Sequence, residues 1–74
     1  MNISEEDFKY MVEGATADLI RLLIERKNYD MKSAVDEVYQ SKTYAALNMA
    51  QTGLYYQSPG YLFEYLVEEI GART

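Results

Sequence analysis

The chain has no cysteine, no histidine and one proline, Pro59, in 74 residues. Without cysteine there is no disulfide, and without either residue the usual zinc frameworks are excluded. The commonest general base and the strongest nucleophile are missing too, so a non-enzymatic protein is expected. No Gly-rich phosphate loop, EF-hand spacing or dinucleotide fingerprint occurs, and no cofactor is expected. A chain this short makes one domain, residues 1–74. Its core alone gives a margin of roughly a few kcal/mol. Stability must come from helix packing or from association.

Positive charge is also scarce. Seven Lys and Arg stand against twelve Asp and Glu, a net charge of −5. Nucleic-acid binders need a positive footprint to displace counterions from phosphate, so no nucleic-acid partner is expected. The charge is uneven, however. Residues 1–18 set Glu5, Glu6, Asp7, Glu13 and Asp18 against Lys9. Residues 19–32 set Arg21, Arg26, Lys27 and Lys32 against Glu25 and Asp30. The second stretch is the one place where an alternative role, a nucleic-acid-associated regulator, would find its contacts. Its simpler reading is a solvated helix end whose cations complement the dipole. No apolar run approaches the ~20 residues of a membrane span. "MNISEEDF" is acidic, unlike a signal or transit peptide. A cytoplasmic protein without membrane contact is the expectation.

What the chain does have is helical periodicity. Ser4 followed by Asp7 approximates a capping box, and Glu5, Glu6 and Asp7 sit where a helix dipole favours acids. Phe8, Met11, Val12, Ala15, Leu19, Leu22 and Leu23 then form one stripe. Phe8 and Val12 stay in phase with Leu19 and Leu23 across Gly14. That predicts one long helix through the glycine, which then marks a close approach by a neighbour. Asp30 reads as the N-cap of a second helix with Met31, Ala34, Val35, Val38 and Tyr39 on one face. Ser41 caps a short third helix carrying Tyr44, Ala45 and Leu47, with Gly53 as its stop. Residues 54–57, "LYYQ", read as an extended connector. Ser58 and Pro59 open the last helix as N-cap and N1. Leu62, Phe63, Leu66, Val67 and Ile70 line one face of it, and Gly71 ends it. The predicted fold is all-α: a small bundle of three to four helices with a long first helix.

The carboxylate pairs Asp36/Glu37 and Glu68/Glu69 sit at adjacent positions. Adjacent side chains on a helix diverge by about 100°, so these read as solvated faces rather than converging catalytic groups. The tyrosines are the unusual feature, eight in all. Tyr61 and Tyr65 lie on the flank of the last helix, and Tyr55 and Tyr56 precede them. Tyrosine combines large contact area with a polar tip and is enriched at interfaces. Tyr55, Tyr56, Tyr61 and Tyr65 are therefore the candidate partner-binding residues. The alternative is that they close a small core with hydroxyls at its rim.

Three segments, "LIRLLIERKNYD", "SAVDEVYQSKTY" and "YYQSPGYLFEYLVEEI", resemble a group of small bacterial helical proteins. These are domain-of-unknown-function families of Firmicutes and Bacteroidetes. Their pattern is a long first helix, a short "EVY"-type helix, a connector and a closing "YLxEYLxEEI"-like helix. Some members look like companions of toxin-like genes. The resemblance implies an antitoxin-like or regulatory binding role. The expected partner is another protein or a second copy of the chain. It supplies no catalytic residues.

Overall fold

Four α-helices follow one another in the computed structural model, which describes residues 3–73. They are α1 (Glu5–Lys27), α2 (Met31–Tyr39), α3 (Lys42–Leu47) and α4 (Pro59–Ala72). Each start is set locally. Side-chain oxygens of Ser4, Asp30, Ser41 and Ser58 accept from the amides of Asp7, Ser33, Tyr44 and Tyr61. Each occupies one amide that the helix leaves without a carbonyl. Pro59 stands at the first turn of α4, as its missing N–H permits.

α1 runs unbroken through Gly14. At 1.5 Å per residue its 23 residues span about 34 Å, which accounts for the molecule's 37 Å long axis. Gly14 does not mark a close approach, because a Cβ there would meet nothing within 4 Å. At its other end α1 stops on Asn28, which adopts φ 59°. The amides of Asn28 and Tyr29 both reach back to the Leu23 carbonyl. The chain then turns straight into α2.

The core forms where α1 meets α2 and α4. Leu19, Leu23, Val38, Leu47, Leu62 and Leu66 are fully buried, with Val12, Leu22, Ala34, Leu54 and Phe63 around them. Ile20, Ile24, Val67 and Ile70 pack against that cluster from its edge. Two apolar positions of the α2 stripe point away from it: Met31 and Tyr39 are exposed, and Ala34 and Val38 carry the inward face. Thr16 is buried on α1, its hydroxyl donating to the Val12 carbonyl at 2.7 Å.

Residues 54–57 are not an extended connector. Two short 3-10 turns, Ala50–Thr52 and Leu54–Tyr56, compact the segment. Thr52 organises them. Its hydroxyl lies 2.8 Å from both the Ala46 and Met49 carbonyls and accepts the Leu54 amide. Gly53 takes φ 72° between the turns, and Leu54 is thereby driven into the core. Nor does Gly71 end α4, which continues to Ala72. The chain there needs no left-handed residue, since Arg73 caps it in a helical conformation.

The two glycines give opposite expectations. Gly14→Ala should raise stability by up to about 1 kcal/mol, because it improves helix propensity in open space. Gly53→Ala should lower it by about 1–2 kcal/mol, because its backbone is left-handed. A Cβ there would also stand 3.0 Å from the Tyr56 hydroxyl. Urea midpoints of the two variants check both signs.

Candidate interaction surface

The four candidate tyrosines sit on two elements and form two ring pairs. Tyr55 and Tyr56 occupy the second 3-10 turn, their centroids 5.1 Å apart and their planes nearly perpendicular. Tyr61 and Tyr65 stack one turn apart on α4 at 5.4 Å. Among the described residues no ring contact joins one pair to the other. Burial divides them. Tyr56 is 62% exposed, and Tyr61 and Tyr65 stand at 40% and 45%. Tyr55 is half-buried, with its ring edge-on to Phe8 of α1 at 5.1 Å. The helix period explains the α4 split: Leu62, Phe63 and Leu66 turn inward, and the flanking i, i+4 tyrosines stay outside.

The Tyr65 hydroxyl lies close enough to act on that of Tyr61. Hydrogen-bonding interaction with the Tyr65 hydroxyl, then charge repulsion from it, pushes the Tyr61 phenol above its ordinary value. The pair does not reach the geometry of the direct hydrogen bonds seen elsewhere in the fold.

Around Tyr55 the surface is concave. One depression of about 450 Å³ lies between α1 and the start of α4, with Tyr10, Gly14, Gln57 and Pro59 in its wall. A second, of about 670 Å³, lies between the α1 N-terminus and the 3-10 turns. Met11 and Tyr55 line both. Tyr10, 77% exposed, and Met11 thus join the aromatic surface. Sequence reasoning missed Tyr10, and it assigned Met11 to the core stripe. Met11, one residue before buried Val12, stands at the margin of the α1 apolar face, whereas Tyr10, two before it, lies on the outward side.

The basic stretch 19–32 is largely engaged with its own chain. Arg21 bridges Asp18 and Glu25 at 3.3 and 3.2 Å. Lys32 pairs with Asp36 at 3.3 Å. The Arg26 guanidinium lies 5.8 Å from the centroid of the Phe63 ring. Among the described residues Lys27 makes no ion pair, and it borders a shallow groove with Phe63 and Val67.

The carboxylates depart most from expectation. Glu37 and Glu69 are not solvated faces but parts of one network across α2, α3 and α4. Glu69 accepts the Lys42 amide at 2.8 Å, the Thr43 amide at 2.9 Å and the Thr43 hydroxyl at 2.8 Å. Ser41 takes the Tyr44 amide, so the first three amides of α3 are all satisfied. Arg73 donates to Glu69 at 3.0 Å and also to Glu37. Glu37 accepts the Tyr29 hydroxyl at 3.3 Å. Burial alone would raise the Glu69 pKa, but the Lys42, Thr43 and Arg73 donors outweigh it and hold the carboxyl at about 2. Burial, then the Glu37 charge, pushes the Tyr29 phenol up. These groups are saturated by one another, and the arrangement joins helices rather than presenting a reactive atom. Asp36 and Glu68 remain exposed. Among the described residues no three acids gather as a metal site, and no helix is long and apolar enough to cross a membrane.

Comparison with protein families, curated proteins and solved structures returns no match.

Proposed function

We propose that the chain is a non-enzymatic protein-interaction module, antitoxin-like or regulatory, that binds another protein or a second copy of itself through its tyrosine surface. The observation that carries this reading is the exposure of Tyr56, Tyr61 and Tyr65 in a protein whose core is already filled by aliphatic side chains and Phe63. Clustered, solvent-facing aromatics in a small domain mark a contact surface. The nucleic-acid alternative draws less support, because Arg21, Arg26 and Lys32 are occupied within the chain.

The test pairs Tyr56→Ala with Tyr61→Ala/Tyr65→Ala. Both variants should keep wild-type helical circular dichroism and a cooperative melt. Self-association by sedimentation velocity, or retention of a co-purified partner, should weaken about tenfold, a loss of about 1.4 kcal/mol. Variants that associate as tightly as the parent would overturn the reading, and so would variants that unfold.

A further inference from the structure

Resting on the interaction-module reading, we infer that the groove centred on Met11 and Tyr55 docks a basic amphipathic segment of a partner protein. Shape supplies the first half of the argument. The two depressions share Met11 and Tyr55, so they adjoin along the N-terminal half of α1. Their walls carry the two most exposed tyrosines of the fold, Tyr10 and Tyr56. A thioether and aromatic rings make an adaptable apolar floor, the kind that receives the hydrophobic face of a helix.

Charge supplies the second half. Asp7, Glu13 and Asp18 line the concavity, and no lysine or arginine does. Asp18 is partly neutralised by Arg21, but among the described residues the Asp7 and Glu13 carboxylates make no ion pair. The groove beside Tyr65 differs, because Lys42 lines it, and the grooves beside Val67 include Lys27. Acids bordering an apolar floor select a partner whose lysines or arginines flank an apolar stripe, and they speed its encounter. A second copy fits poorly. The chain carries −5, and three of its acids, Asp7, Glu13 and Asp18, line this groove.

The experiment is an NMR titration of the full chain with a synthetic Leu/Lys amphipathic peptide of about four turns at physiological salt. A Leu/Glu peptide of the same apolar pattern serves as control. The Leu/Lys peptide should shift the amides of Tyr10, Met11, Gly14, Tyr55 and Tyr56. The Leu/Glu peptide should bind at least about tenfold more weakly. Asp7→Asn/Glu13→Gln should weaken the Leu/Lys peptide about tenfold. Glu64→Gln/Glu68→Gln removes the same charge elsewhere and should leave affinity within about twofold. All four positions are exposed, so both variants should stay folded. Equal losses in the two double variants, shifts centred outside the groove, or equal binding of both peptides would overturn the assignment. Concentration-dependent shifts at these residues without peptide would give the groove to a second copy and overturn it as well. If the peptide fails while Tyr61→Ala/Tyr65→Ala still weakens association, the interaction module stands and the groove assignment falls.

Discussion

Phe63→Ala should come close to unfolding the protein. The ring is 6% exposed, sits on α4 facing α1, and carries the Arg26 guanidinium over its outer side. Truncating a buried phenylalanine to alanine costs about 3–5 kcal/mol, from lost transfer energy and the cavity left behind. A domain of 74 residues has about 4–11 kcal/mol in total. The melting temperature should therefore fall by roughly 15–30 °C, and at 37 °C a large fraction of the chain should be unfolded. Tyr61→Ala/Tyr65→Ala is the matched control on the same helix. Those rings lose less buried area and leave no closed cavity, so the pair should cost about 1 kcal/mol. Thermal melts followed by circular dichroism separate the two cases. A Phe63→Ala melt within a few degrees of the parent would mean that α4 does not pack through this face.

The helical frame could be read from the sequence because its determinants are local. Ser4, Asp30, Ser41 and Ser58 each cap an amide three residues on, and a three-residue relation is visible in the chain. The phase of Val12, Leu19 and Leu23 across Gly14 is likewise a matter of spacing alone. The misreadings share a cause in distance. Thr52 folds the connector by reaching six residues back to Ala46, so "LYYQ" in isolation looked extended. Glu69 meets Thr43 across 26 residues, and Arg73 meets Glu37 across 36. No periodicity encodes those contacts, and the acids therefore resembled ordinary surface. The candidate surface was half legible. Solvent exposure of Tyr61 and Tyr65 follows from the helix period, given Leu62 and Leu66. The separation of Tyr55/Tyr56 from them, and the recruitment of Tyr10 and Met11, depend on how the 3-10 turns lie against α1.

Acid should unfasten α3 from α4, and Glu69→Gln should remove that response. Glu69 has its carboxyl pKa lowered from 4.5 to about 2, against burial, by four donors on Lys42, Thr43 and Arg73. A carboxyl whose folded pKa is depressed contributes stability that is complete above the unfolded value. That stability is lost as pH falls through the folded one, so the window runs from about pH 5 down to about pH 2. At about 1.4 kcal/mol per pKa unit the displacement corresponds to about 3 kcal/mol. The network is reached by water, and Arg73 is 43% exposed, so on the order of 2 kcal/mol is the better expectation. Glutamine keeps one acceptor but turns an amide NH2 toward groups that only donate. At pH 7 the variant should therefore melt about 10 °C below the parent. As pH falls toward 2 the parent should descend to meet it, the two melting curves converging as the charge that distinguishes them is titrated away. The segment most affected is α3, six residues long and too short to persist without its capped amides. Hydrogen exchange at Lys42, Thr43 and Tyr44 should therefore accelerate before the amides of α1 do. Parallel stability curves for the two proteins from pH 7 to pH 2 would show that the Glu69 contacts contribute nothing net.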